Sequence, residues 1–266
     1  MFKVLSLGAG VQSTTMALLA ASGELGELPD CAIFADTGAE PKPTYEYLQW
    51  LMSDNVLPFP VHVVSAGNIK NDMLSGMNTT GQRFASVPFF TMYQGKAGMG
   101  RRQCTKEYKI SPIRKKVREL IGGKVRGASV EMWIGISTDE IIRMKPSMVK
   151  YIQNRWPLIE KRMSRHDCLT WLTKNGFPLP PKSACTFCPY RSDEGWISMK
   201  KIDPASFAEA IEVDNAIRLN GTTQRMKADL YIHRSMKPLQ DVDFRTDDEI
   251  GQIDLFNNEC EGMCGV

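Results

Sequence analysis

Lys3-Val-Leu-Ser6-Leu-Gly8-Ala-Gly10-Val-Gln-Ser13 is a short apolar strand that runs into a loop of small residues, and residues 14–21 continue it as an apolar, helix-like run. Glycines at 8 and 10 let a backbone approach an anion closely, and Ser6 and Ser13 carry hydroxyl donors. A helix N-terminus behind such a loop points unpaired N–H groups at negative charge. The stretch is a phosphate cradle in outline. No Gly-Lys-Ser/Thr follows, so it is not a Walker loop, and the glycines lack the G-x-G-x-x-G spacing of a dinucleotide fingerprint. A plain tight turn in an α/β protein can look the same. The next strand turns the reading towards a nucleotide site: Cys31-Ala-Ile-Phe34-Ala-Asp36-Thr37-Gly38 ends in a carboxylate, and Glu40, Pro41 and an amphipathic stretch over 45–52 follow. A carboxylate at the carboxyl end of a parallel strand, beside the switch point of an open sheet, is placed to bind a ribose or a base.

Outward from these two strands the apolar pattern alternates. Strands are expected at 3–7, 32–35, 61–64 and 132–136, and helices at 12–22, 44–53, 68–75 and 111–121. That order implies an α/β fold with an open, mostly parallel sheet covered by helices on both faces. Residues 77–102 hold glycines at 81, 95, 98 and 100 and Pro88 with little periodicity, and read as a long loop placed to act as a substrate lid. Ser164 is an N-cap with Asp167 three residues on, and Asn175-Gly176 ends that helix; His166 and Cys168 on it read as packing residues. We divide the chain into a nucleotide-binding domain over 1–200 with a cysteine-rich loop, and a smaller helical and irregular region over 201–266 with a cysteine-bearing tail.

A chain of 266 residues buries about 70–75% of its unfolded surface and needs no disulfides to build a core. Its net charge of +3 neither demands nor excludes a polyanionic partner, but the basic residues cluster. Lys106, Lys109, Arg114, Lys115, Lys116, Arg118, Lys124 and Arg126 form one group; Arg155, Lys161, Arg162 and Arg165 form another. These are either solvated helix faces or contacts to DNA or RNA. No apolar run of about 18 residues exists, so the chain is read as cytoplasmic with no membrane partner. Seven cysteines in a reducing compartment point to metal or redox chemistry over a disulfide framework. Cys185-x-x-Cys188, in the proline-bounded loop Pro181-Lys-Ser-Ala-Cys185-Thr-Phe-Cys188-Pro189, is a chelating pair open to zinc, to an iron–sulfur cluster or to redox use.

The S-x-G-x-G-x-x-S spacing of Ser6, Gly8, Gly10 and Ser13 resembles the pyrophosphate-binding loop of the ATP pyrophosphatases, the PP-loop superfamily that includes the sulfonucleotide reductases. Phe34-Ala-Asp36-Thr37-Gly38-Ala-Glu40-Pro-Lys-Pro-Thr44-Tyr45 resembles the D-T-G segment of the phosphoadenylyl-sulfate and adenylyl-sulfate reductases. Gly135-Ile-Ser137-Thr-Asp139-Glu140-Ile-Ile-Arg143 matches their G-x-R-x-x-x-S-x-x-R segment at Gly135 and Arg143, but Ser137 stands where an arginine helps bind the substrate's phosphate or sulfate. On the residues alone, Ser137 or Thr138 serves equally as a cap for a helix starting near Asp139. In the reductases a late C-x-x-C and an earlier R-x-C-C bind one four-iron cluster. Here Gly100-Arg101-Arg102-Gln103-Cys104 offers a single cysteine at the earlier place, so Cys104, Cys185 and Cys188 make three ligands. The tail Glu259-Cys260-Glu261-Gly262-Met263-Cys264 resembles the reductases' terminal E-C-G, whose cysteine attacks sulfur. One of Cys260 and Cys264 can complete the cluster while the other handles sulfur, and Cys264 is the expected ligand or sulfur carrier.

What the resemblance implies is an adenine-nucleotide enzyme with ATP, Mg²⁺ and a [4Fe–4S] cluster. Nucleotide contacts fall at Ser6, Gly8, Gly10, Ser13, Asp36, Thr37, Gly135 and Arg143, and the reacting set is Asp36, Cys260 and Cys264. The lone Cys104, Ser137 in place of arginine and the basic clusters favour sulfur insertion into DNA or tRNA, with a sulfur donor such as a cysteine desulfurase as partner. A sulfonucleotide reductase releasing sulfite, and a cluster-bearing nucleic-acid-binding protein without turnover, are the alternatives.

Overall fold

The computed structural model describes residues 1–77, 87–123, 127, 129–219 and 228–244. Five strands, β1 (Phe2–Leu7), β2 (Cys31–Asp36), β3 (Val61–Ser65), β6 (Val130–Ile134) and β7 (Ile152–Arg155), form one parallel sheet in the order β3-β2-β1-β6-β7. The chain builds outward from β1 to β3, then crosses to the other side of β1 to lay down β6. The crossover puts a topological switch point between the carboxyl ends of β1 and β6, where open α/β sheets bind ligands.

Alternation along each strand sends side chains to two separate cores. On one face Leu5, Leu7, Phe34 and Trp133 pack with α1 (Val11–Ala21), α2 (Lys42–Leu51) and α6 (Arg165–Lys174). On the other Val4, Ile33, Ala35, Met132 and Ile134 meet Ile113 and Val117 of α4 (Ser111–Leu120). The α/β architecture with helices on both faces is therefore the observed one. α6 starts as its sequence dictates: the Ser164 hydroxyl accepts the Asp167 N–H while the Asp167 carboxylate accepts the Ser164 N–H. Cys168 is a core residue of that helix, whereas His166, expected to pack, is exposed on its solvent side.

The described part of the stretch expected as one long loop is instead partly a hairpin. β4 (Phe90–Tyr93) and β5 (Lys96–Met99) pair antiparallel around Gln94 and Gly95, with φ of 49° and 73°. Two successive positive φ values make the kind of turn whose twist suits a two-residue hairpin. β8 (Asp229–Tyr231), from the region after residue 200, adds to the free side of β4. A third core of Trp196, Phe207, Val213, Leu230 and Ile232 joins this small sheet to α7 (Asp193–Ile202) and α8 (Pro204–Leu219). The helix expected near Asp139 is a 3₁₀ stretch, Thr138–Arg143, with a kink at Glu140.

Candidate active site

The loop after β1 is held in shape from within. The Ser13 hydroxyl accepts the Gly8 N–H at 3.1 Å and donates to the Gly10 carbonyl at 3.3 Å. Ser13, expected as a donor to a ligand, thus spends its proton on the loop and acts as its clasp. Gly10, the N-cap of α1, is extended (φ −98°, ψ 178°), and the left-handed conformation falls on Ala9 (φ 55°). An alanine there is strained by about 1–2 kcal/mol, which the clasp offsets. Across the switch point, Ser6 lies beside Ile134, so the loop and the Gly135 turn are neighbours. Ser137 has no capping bond; its hydroxyl accepts from Gln12 Nε2 at 3.4 Å. The same Gln12 nitrogen donates to Glu140 Oε2 at 3.3 Å, and the other Glu140 oxygen pairs with Arg143. One polar chain therefore ties α1 to the segment after β6 and sets the position of Arg143.

At the end of β2, Asp36 Oδ1 accepts the Gly38 N–H at 2.8 Å and the Tyr45 hydroxyl at 2.7 Å. Burial and these contacts raise the Tyr45 phenol well above its ordinary range, which keeps it a donor. Asp36 is thereby fixed through one oxygen, with no partner on the other among the described residues. Gly38 is required twice: its φ is +69°, and an added Cβ would lie 2.9–3.2 Å from Asn68, whose side chain donates to the Gly38 carbonyl at 2.8 Å.

Thr37 joins this turn to the cysteines. Its hydroxyl lies 3.4 Å from Cys185 Sγ, and the Thr186 N–H donates to the Ala39 carbonyl at 2.9 Å. Cys104, Cys185 and Cys188 all line one pocket, together with Thr37, the apolar residues Ile69, Val87 and Phe187, and the cations Arg102 and Lys109. Cys104 sits just before a π-helical turn, Lys106–Ile110, that runs directly into α4. Such wide turns cluster at functional sites. Here the turn lets Cys104, Thr105, Tyr108 and Lys109 share the pocket wall. Tyr108 is anchored by a 2.5 Å bond to Asp72. Lys109 lies 3.3 Å from Glu40, whose side chain is fully buried and whose Oε2 has no hydrogen-bond partner. From the other side the Arg191 guanidinium donates to the Ala184 and Cys185 carbonyls and stacks over Trp196.

Burial, then the Glu40 carboxylate, push the Cys185 thiol well up, against the opposing pull of Lys109 and Thr37. A thiol so placed keeps its proton until a bound cation displaces it. Cys31 and Cys168 lie in the sheet cores, and burial pushes the Cys31 thiol up to about 11. Neither faces the pocket.

The three pocket thiols are soft donors of the kind that bind zinc or iron. Among the described residues no three His, Cys, Asp or Glu side chains converge closely enough to hold one metal ion. Zinc–sulfur bonds of 2.3 Å in a tetrahedron would require sulfurs about 3.8 Å apart. A four-iron cluster carries each thiolate on its own iron and holds the sulfurs farther apart. Cys260 and Cys264 lie outside the described residues, as do Lys124 and Arg126.

No family model matches the chain, and no curated protein does. Among solved structures the chain is similar to phosphoadenylyl-sulfate (PAPS) reductase from Candida auris in a phosphate complex, with 10% sequence identity and a TM-score of 0.43 over 68% of this chain and 75% of that one. No helix among the described residues is long and apolar enough to cross a membrane.

Several partners in the site had no signal in the sequence alone. The Glu40–Lys109 pair, the Gln12–Glu140–Arg143 chain and the Arg191 brace are contacts between distant segments. Tyr45 did have one, since it belongs to the segment that follows the D-T-G turn. Of the second basic group, Arg155 is taken up by Glu27, Glu131 and Glu160.

Proposed function

We propose that the chain is a PP-loop ATP pyrophosphatase that activates a nucleic-acid group for sulfur insertion and carries a [4Fe–4S] cluster. The observation that carries this reading is that Cys104, Cys185 and Cys188, from segments about eighty residues apart in sequence, line one pocket against the Asp36–Gly38 turn. That turn flanks the switch-point crevice of the sheet. Nucleotide and thiol chemistry thus share one wall.

In this reading the loop from Ser6 to Ser13 and the N-terminus of α1 take the phosphates of ATP, and the unengaged oxygen of Asp36 faces the nucleotide. Arg143 adds a cation across the crevice. Asp36 would help hold Mg²⁺, which would supply charge neutralisation at the phosphates. A nucleic-acid oxygen attacks the α-phosphorus, the bond to pyrophosphate breaks, and pyrophosphate leaves. A persulfide sulfur from a donor such as a cysteine desulfurase then displaces AMP, which leaves the substrate sulfur disulfide-bonded to the carrier, and an external thiol reductant cleaves that S–S bond to release the thiolated product. Cys104, Cys185, Cys188 and Cys264 would hold the cluster, which supplies redox-active or Lewis-acidic iron beside the sulfur chemistry. Cys260 is then the thiol left to receive sulfur. Burial of Ser137 against Gln12, in place of an outward arginine, argues against a sulfate-bearing nucleotide as the final substrate.

Gly10→Val tests the crevice. The extended backbone at Gly10 tolerates a side chain, but the position is buried, so the fold of the variant is checked by circular dichroism before binding is measured; the added side chain is expected to block the phosphates. Titration calorimetry should show at least a tenfold loss of ATP affinity, about 1.4 kcal/mol. Unchanged affinity in the folded variant would move the nucleotide elsewhere.

A further inference from the structure

α4 buries Pro112, Ile113 and Val117. Its other side opens on a groove lined by Ser111, Arg114, Lys115, Arg118, Glu119, Gly122 and Gly123, with Val149 and Tyr151 opposite. These helix positions recur at spacings of three and four, so the groove follows a single face of α4 over its whole length. It has an unusual charge balance. Arg114, Lys115 and Arg118 have no acidic partner among the described residues, and the one acid in the wall, Glu119, lies 3.6 Å from Lys116. Arg114 Nε is buried with no hydrogen-bond acceptor. A buried guanidinium N–H without an acceptor, beside two further cations, favours an anion on this wall of the groove.

The groove also has a direction. One end, at Gly122 and Gly123, lies towards the amino edge of the sheet, where the Tyr151 carbonyl accepts the Ser129 and Val130 N–H groups. The other end, Ser111, directly follows the π-helical turn whose Tyr108 and Lys109 line the cysteine pocket. A ten-residue helix is about 15 Å long. At about 3.4 Å per nucleotide along one strand, this corresponds to four or five nucleotides.

We propose that this groove binds the phosphodiester backbone of a nucleic acid and leads it along α4 towards the cysteine pocket. The inference rests on the proposed nucleic-acid substrate and gives that substrate its docking surface. Charge complementarity, the linear run of cations and continuity with the pocket select a linear polyanion over a small anion.

The test is fluorescence anisotropy with a 20-nucleotide labelled oligonucleotide at 50–300 mM salt. The proteins compared are the wild type, an Arg114→Gln/Lys115→Gln/Arg118→Gln variant and a single Lys115→Glu variant. Three phosphate contacts give a slope of log affinity against log salt of about −2 to −3 for the wild type. The triple variant should lose at least tenfold affinity at 100 mM salt and most of that slope, with ATP affinity unchanged. Lys115→Glu, at an exposed position, should lose several-fold even if the triple variant folds poorly. Wild-type binding that neither variant weakens overturns the groove and leaves the proposed substrate standing. No binding by the wild type at 50 mM salt overturns both, and equal competition by polyglutamate shows a surface that does not select nucleic acid.

Discussion

Cys185→Ser is expected to empty the proposed cluster site. Protein isolated anaerobically should carry about four irons per chain with matching sulfide, and the serine variant close to none. Cys185 is the thiol at the junction: it touches Thr37, lines the pocket, and is braced through its carbonyl by Arg191. Serine keeps the size but replaces a soft thiolate with a hard oxygen that binds iron–sulfur clusters poorly. Cys31→Ser and Cys168→Ser are the controls, because both thiols are in the sheet cores away from the pocket. They should lose some stability and no iron. Full iron in Cys185→Ser, or stoichiometric zinc in the wild type, would refute the assignment.

The largest loss of stability is expected from Asp214→Ala. Asp214, on α8, is 1% exposed. Its two oxygens accept the Ile232 N–H at 3.1 Å and the Leu239 N–H at 2.7 Å, and it pairs with Arg218. One carboxylate thus pins two stretches of the chain that follow α8. Alanine leaves two buried N–H groups unmet and a partly buried guanidinium unpaired, which costs about 3–5 kcal/mol. Against a total stability of about 5–15 kcal/mol, that should lower the melting temperature by roughly 10 °C. Asp214→Asn, which keeps one acceptor, should fall between the two. A shift of under about 2 °C in Asp214→Ala would show that these segments are held by apolar packing alone.

The parts of the fold legible in the sequence were those written in local signals. The strand and small-residue loop at 3–13, the D-T-G turn and the Ser164–Asp167 capping box each depend on neighbouring residues, and each is present in the structure. The hairpin of β4 and β5 was hidden because its glycines look like loop punctuation; only Gln94-Gly95 marks the turn. β7 was missed because Ile152-Gln-Asn-Arg155 is a short, polar edge strand paired on one side. The convergence of Cys104 with Cys185 and Cys188 could not be read from their spacing. It came from the resemblance, and the structure adds the shared pocket. Ser13 shows the limit of motif reading in the other direction: the hydroxyl stands at the expected position, but its proton is committed to the Gly10 carbonyl.

In the proposed reaction, ATP is cleaved between its α- and β-phosphorus atoms in the crevice between β1 and β6. Incubation of the anaerobic holoprotein with α-labelled ATP, Mg²⁺ and nucleic acid, followed by chromatography of the products, tests it directly. AMP and pyrophosphate in equal amounts, lost together in Gly10→Val, is the result expected here. Formation of ADP and phosphate, or release of sulfite from adenylyl sulfate with no turnover of ATP, would contradict it.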